Sequence, residues 1–350
     1  MNDNITPYVR YIGTDDKDLD LFESQYVVPQ GISYNSYVIT DEKIAVMDTI
    51  DQRKTDEWTA RLEEALEGRT PDYLIVQHME PDHAANIGWF AKKYPEATIV
   101  ASAKAVQMMP QFFEEVNFAG RTQTVKEGDT LCLGQHTLKF IMAPMVHWPE
   151  VMLTYEESEK ILFSADAFGK FGALCREGEW TNEARRYYFN IVGKYGAQVQ
   201  ALLKKAAGLD IAMICPLHGP VLKENLGYYI GLYDTWSKYE PETEGVVVAY
   251  ASIHGNTAAA ARRMAEILNE KGVAEVMLID LCRDDMALAV ESAFRYSKMI
   301  VAASSYDAGV FPPMFDFLHH LQIKNFQIRF SYILNNNRMC FLFIAFQFSH

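Results

Sequence analysis

The sequence predicts two layered domains in succession: a mixed α/β and α+β sandwich, then a doubly wound parallel α/β domain. Three observations predict it. Through the first two thirds, short β-rich runs alternate with turn signals and with helical patterns. A polar stretch, "SKYEPETEG" (237–245), then breaks that texture and reads as a linker. Beyond it the chain runs strictly strand, loop, helix, strand, helix, strand, the pattern of a parallel sheet covered on both faces.

The elements follow in order. "SYVIT", "KIAVMDT", "YLIVQ", "ATIVAS", "HTLKFIMAP", "VMLTYEE" and "KILFSAD" are rich in Val, Ile, Leu and Tyr and read as strands. Helical patterns lie over 55–66, 85–93 and 184–206. In the second part "GVVVAYAS", "AEVMLID" and "KMIVAASS" are strands. "AAAARRMAEILNEKG", closed by a glycine, and "MALAVESAFRY" are helices. The expected domains are 1–243 and 244–327, with a divergent tail over 328–350. No repeat or low-complexity stretch interrupts them.

Composition narrows the function. The 350 residues are 49% hydrophobic and 22% charged, as in a globular protein, and the net charge is −14. That surface repels phosphate backbones and anionic lipid, so neither nucleic acid nor a membrane is an expected partner. No basic-then-apolar leader opens the sequence, and no run reaches the ~20 apolar residues of a spanning helix. Five cysteines (Cys132, Cys175, Cys215, Cys282, Cys340) form no C-x-x-C pair. A reducing cytoplasm is the expected location.

The chemistry concentrates in "QHMEPDHAAN" (77–86). His78, Glu80, Asp82 and His83 fall within six positions just after the strand "YLIVQ". Alternate residues of an extended chain share a face, so His78, Glu80 and Asp82 converge there, whereas His83 joins them only if the chain turns. Three more candidates stand just past apolar strands: His147 in "PMVHWPE", Asp166 in "FSADAFG" and His218 in "PLHGP". One such residue is ordinarily a turn or cap residue. Seven of them at strand ends, where open α/β sheets place their sites, read as a metal site.

This pattern resembles the metallo-β-lactamase fold family, whose hallmark is H-x-H-x-D-H after a strand, then a distant His, Asp and His. Here Glu80 stands for the second histidine. Added carboxylate shifts a site from zinc toward harder, redox-active iron. H-x-E-x-D-H with the later His, Asp and His resembles the variant of the flavodiiron proteins. The resemblance implies an αββα sandwich. It also implies two irons: His78, Glu80 and His147 on one, Asp82 and His218 on the other with His83 as a further candidate, and Asp166 bridging. Trp148 and Tyr195 resemble pocket-lining residues of that family and read equally well as core aromatics.

A second resemblance is carried by "SIHGNT" (Ser252, Ile253, His254, Gly255, Asn256, Thr257), set between a strand and a helix. It is similar to the FMN-phosphate loop of flavodoxins, where amides and hydroxyls surround a phosphate at a helix N-terminus. "SSYDAG" (Ser304, Ser305, Tyr306, Asp307, Ala308, Gly309) resembles the second flavin loop. No G-x-G-x-x-G marks a dinucleotide site. The match fades after residue 327. "RFSYIL" is the expected fourth strand, the third flavin loop has no counterpart, and an open sheet edge with an apolar tail predicts aggregation unless it is covered.

The order of the two domains is that of the flavodiiron proteins. The resemblance implies an oxidoreductase passing electrons from FMN to a diiron centre that reduces O2 to water, nitric oxide to nitrous oxide, or both. A separate donor, such as rubredoxin or a reduced deazaflavin, and a head-to-tail homodimer are implied as well. A diatomic gas sensor, an inactive truncated homologue and a dizinc hydrolase remain as alternatives.

Overall fold

The computed structural model describes residues 4–176 and 178–327, and the backbone of a two-residue strand at Phe341–Leu342. "RFSYIL" and the region of the third flavin loop lie outside the described residues. The chain forms two compact units, Met1–Ala184 with Ala201–Ile230, and Arg185–Gln200 with the residues from Gly231 onward. Their limits in sequence therefore interleave, where the sequence suggests a single division at 243/244.

The first unit is built on two sheets. One contains β1 (Val9–Tyr11), β2 (Tyr37–Thr40), β3 (Ile44–Met47), β4 (Tyr73–Val76), β5 (Thr98–Ser102) and β6 (Thr122–Val125), hydrogen-bonded in that order. β1, β2 and β3 are antiparallel, and β3 to β6 are parallel. The other contains β7 (Thr130–Cys132), β8 (Thr137–Met142), β9 (Met152–Glu156), β10 (Ile161–Phe163) and β11 (Met213–Cys215). It is antiparallel except where β11 joins β10.

Alternation places Tyr37, Ile39, Ala45, Met47, Ile75 and Val100 of the first sheet against Leu138, Phe140, Met152, Ile161 and Phe163 of the second, in one buried cluster. The opposite face of the first sheet (Val38, Val46, Leu74, Ile99) is buried as well. A strand buried on both faces reads as a continuous apolar run, which is why these segments were legible as strands.

Four α-helices of the first unit precede Trp180. α1 (Thr55–Leu66) coincides with the predicted 55–66 and buries Trp58, Leu62, Ala65 and Leu66. α2 (Pro81–Ala84) is one turn, opened by Pro81 directly after Glu80. α3 (Ile87–Lys93) shortens the predicted 85–93 by two residues. α4 (Ala103–Phe112), capped by the Ser102 hydroxyl, lay unseen in the sequence because Pro110 signals a break. The predicted helical run 184–206 is real but not uniform. α5 (Trp180–Tyr187) passes into a π-helical turn (Tyr188–Val192) and a 3-10 turn (Gly193–Tyr195) before α6 (Gly196–Ala206). α7 (Leu226–Ser237) then occupies a stretch assigned no element from the sequence.

The second unit carries β12 (Thr243–Ala251), β13 (Val276–Asp280), β14 (Tyr296–Tyr306) and β15 (Gly309–Val310), in the order β13-β12-β14-β15. The first three are parallel, as the βαβ pattern predicts. α8 (Asn256–Glu270), α9 (Met286–Arg295) and α10 (Pro312–Ile323) complete it. β14 and β15 form a tight hairpin with Asp307 and Ala308 at positive φ, and Phe341–Leu342 pairs antiparallel with β14. Among the described residues no helix is long and apolar enough to cross a membrane.

Candidate metal centre

Each candidate ligand is delivered by a strand end. His78 and Glu80 follow β4, His147 follows β8, Asp166 follows β10 and His218 follows β11. The backbone at these ends is pinned. Asp48, just past β3, accepts from the Gln77 N–H at 2.7 Å and the Gln77 side-chain amide at 2.8 Å. Burial raises its carboxyl to about 6 against these hydrogen bonds. After His218 the chain turns at Gly219, where φ is +81 and a Cβ would lie 2.8 Å from Lys170 Cγ, so only glycine fits.

The seven side chains form two groups. His78, Glu80, His147 and Asp166 offer ligand atoms within 4.8 Å of one another, and so do Asp82, His83 and His218. The expectation that His78, Glu80 and Asp82 converge on one face is corrected here. α2 turns the chain between Glu80 and Asp82, so the first pair enters one group while Asp82 and His83 enter the other. That same turn brings His83 in: its Nε2 lies 3.1 Å from His218 Nε2 and 3.3 Å from Asp82 Oδ2.

Asp166 touches both groups with different oxygens. Its Oδ2 lies 3.2 Å from His78 Nε2 and 3.0 Å from His147 Nε2. Its Oδ1 lies 3.2 Å from His83 Nε2 and 4.0 Å from His218 Nε2. Glu80 closes the first group, 3.2 Å from His78 and 3.0 Å from His147. Six of the seven side chains are buried, and Glu80 is half-buried.

Two observations show that this cluster suits cations. Both carboxylate oxygens of Asp82 and of Asp166, and Nδ1 of His83, are buried without a hydrogen-bond partner. Buried polar atoms are ordinarily satisfied, so five such atoms in one cluster mark a site and not a scaffold. The protonation balance agrees. Burial opposes charge on His147, yet the neighbouring Asp166 and Glu80 carboxylates raise it to about 9. His78 and His83 are raised against the same burial by the carboxylates around them. Burial would raise Asp166, but His78, His147 and His83 hold it well below the usual carboxylate range. Protons on imidazole are thus the cations of the metal-free cluster. The donor set is wholly nitrogen and oxygen, suited to zinc or iron, with no thiolate.

Around the cluster, the Trp148 ring stands 5.4 Å from His78, perpendicular to it, and 6.3 Å from His147. Tyr195 belongs to the second unit, half-buried, with Lys194 Nζ 5.9 Å from its ring. The sequence offered no sign of Glu150, buried and 2.8 Å from His78 Nδ1, beyond its being the acid of "HWPEV".

In the second unit, Ser252–Thr257 joins β12 to α8. Gly255, at φ +89, precedes a helix whose N-terminus no side chain caps. Ser252 Oγ accepts from the Gly255 N–H at 3.1 Å, and Ile253, His254, Gly255 and Asn256 are exposed. Thr257 Oγ1 lies 3.1 Å from Ser304 Oγ, so the two predicted loops adjoin through their hydroxyls. Ser304, Ser305 and Tyr306 end β14, and Asp307, Ala308 and Gly309 complete the hairpin turn. Uncapped amides beside hydroxyls are a fit for a phosphate.

Comparison with known proteins agrees with this geometry. Residues 32–219, more than half of the chain, match the family described as ODP family beta lactamase, and the chain belongs to that family. The anaerobic nitric oxide reductase flavorubredoxin of Pectobacterium atrosepticum is 29% identical over 93% of this chain; the chain spans 66% of that relative's length. The crystal structure of the flavodiiron protein from Giardia intestinalis superposes with a TM-score of 0.88 at 26% identity, over 94% of this chain and 82% of that one. Rubredoxin oxygen:oxidoreductase from Desulfovibrio gigas gives 0.87 at 26% identity, over 93% and 83%. Within the ODP family, then, this is a flavodiiron protein.

Proposed function

We propose that the chain is an oxidoreductase that reduces O2 to water, nitric oxide to nitrous oxide, or both, at a diiron centre re-reduced through FMN. The observation that carries this reading is Asp166, whose two oxygens end in two separate buried groups. His78, Glu80 and His147 would hold one iron and Asp82, His83 and His218 the other, with Asp166 offering one oxygen to each group. When bound, the irons supply the redox couple for a small diatomic, and FMN supplies electrons to that couple. The relatives' names support both gases: one is a nitric oxide reductase, the other an oxygen oxidoreductase.

The protein's own contribution is placement. Glu150 and the Ser33 carbonyl hold Nδ1 of His78 and His218, which leaves Nε2 of each for the metal. Burial of six ligands keeps bulk water from the cluster. Trp148 forms an apolar wall beside His78 and His147. In the second unit, Ser252, Thr257 and the amides at the start of α8 would hold the FMN phosphate, with Ser304 beside them, and residues 304–309 would supply the second flavin loop. A separate carrier, such as rubredoxin or a reduced deazaflavin, supplies the electrons. A head-to-tail homodimer in the cytoplasm is the working form.

The test is metal and flavin content, followed by gas uptake. Purified protein is expected to hold about two irons and about one FMN per protomer and to consume O2 or nitric oxide once rubredoxin and its reductase are added. Bound zinc with hydrolytic turnover would instead indicate the dizinc hydrolase. Iron that binds gas without consuming it would indicate a sensor.

A further inference from the structure

The two groups of ligands differ in what stands behind their histidines. Nδ1 of His78 faces Oε1 of Glu150 at 2.8 Å. Glu150 is 1% exposed, and the same oxygen accepts from the Met79 N–H at 2.9 Å. Two N–H donors on one oxygen suit a carboxylate. Its other oxygen, Oε2, is buried with no hydrogen-bond partner. The backbone carbonyl of Glu150 accepts from the Ser102 hydroxyl at 2.7 Å, so the residue is anchored to the strand end that also carries α4.

In the other group, Nδ1 of His218 faces the backbone carbonyl of Ser33 at 2.7 Å, while the Ser33 hydroxyl accepts from the Gly219 N–H at 2.7 Å. Both arrangements aim Nε2 at the cluster. Only the first adds a full negative charge behind the ring, and a carboxylate partner raises the basicity of a ligating imidazole more than a neutral carbonyl does. The shared Asp166 cancels from the comparison, and Glu80 balances Asp82. Between the rings of His78 and His218, Glu150 is the difference that remains.

We propose that Glu150 is a positioning residue that makes the two metal positions unequal. The position of His78, Glu80 and His147 holds a cation more tightly and, filled with iron, favours the ferric state over the position of Asp82, His83 and His218. Only the statement about iron rests on the diiron reading above. The tighter hold follows from charge and applies to any divalent cation of similar size.

The test compares the full-length protein with Glu150→Gln, which keeps the length and an acceptor oxygen and removes the charge. Cobalt(II) is titrated into the chelated proteins against a chromophoric chelator. The tighter of the two binding steps is expected to weaken by about 10–100-fold, with the weaker step unchanged. In the iron form, a mediated redox titration followed by electron paramagnetic resonance reads two oxidations, each passing one electron to the mediator. The step at lower potential is expected to rise by about 59 mV for each tenfold loss of ferric preference, with the other unmoved. Equal shifts in both steps, or none in either, would overturn the proposal. A protein that takes cobalt but never iron removes the diiron reading and leaves the cobalt result to decide on Glu150. If Glu150→Gln does not fold, Glu150→Asp is measured instead. It keeps the charge, withdrawn by one methylene, and is expected to weaken the same step by less.

Discussion

Both units of this protein bury carboxylates, and they treat them in opposite ways. In the first unit, Asp82 and Asp166 face histidine ring nitrogens at 3.0 to 4.0 Å. In the second, Glu242 and Glu291 close on one guanidinium. Arg185 Nε donates to Glu242 at 2.6 Å, its Nη1 donates to Glu291 at 2.6 Å, and Nη2 makes a further short contact with Glu242. Trp236 adds its indole N–H to Glu242 at 2.7 Å. The second set carries a permanent cation in its sequence, whereas the first is balanced by imidazole protons that a metal can displace. Satisfaction of the buried charge, more than its presence, separates a scaffold from a site.

The comparison breaks if the two sets respond alike to the loss of their central group. Asp166→Ala removes the side chain shared by both groups. It is expected to cut bound metal and gas-reducing activity by more than ~100-fold, beyond the usual effect of losing a partner behind a ligand. Metal analysis and an oxygen electrode read it. Arg185→Met strands the buried carboxylate of Glu291 and the half-buried one of Glu242. It is expected to cost about 3–5 kcal/mol of stability, read as a urea midpoint, while the metal content of the folded fraction stays unchanged.

A smaller effect sharpens the comparison through pH. In the metal-free protein His147 is raised from 6.5 to about 9. A group raised on folding adds stability that is complete below its unfolded value and is lost as pH climbs through its folded one. Chelated protein is therefore expected to lose stability between about pH 6.5 and 9, and His78 and His83, also raised, act in the same sense. Bound metal displaces those protons and should abolish the decline. Denaturant midpoints at the two ends of the range, with and without metal, check it. Arg185 and Glu242 should contribute no slope there, since both are shifted further away from neutrality, whereas burial raises Glu291.

The seven clustered side chains were legible in the sequence as candidates because each follows an apolar strand, and apolar runs are what a sheet buried on both faces requires. The grouping was not legible. Extended-chain alternation puts His78, Glu80 and Asp82 together, and a single turn of helix at Pro81 separates them. Glu150 escaped notice for a related reason: it lies 72 positions from His78, and only the packing of β4 beside the chain after β8 brings them together. α4 was hidden by its own Pro110, and the π-helical turn at Tyr188–Val192 leaves no sign in a 3.6-residue pattern. In the second unit the parallel strands came through cleanly, since each βαβ step is local. The hairpin after β14 also came through, as a loop, although its turn at Asp307 and Ala308 depends on backbone torsion that residue types only suggest.

The one-turn helix between Glu80 and Ala85 has an implication for how such a segment tolerates change. It works as a sorter: His78 and Glu80, before Pro81, fall in one group of candidate ligands, and Asp82 and His83, after it, fall in the other. Substituting one donor for another leaves the sorting intact. Adding or deleting a single residue there rotates everything downstream by about 100° about the helix axis and reassigns Asp82 and His83 at a stroke. The length of this stretch is therefore as much a part of the site as the four side chains it carries.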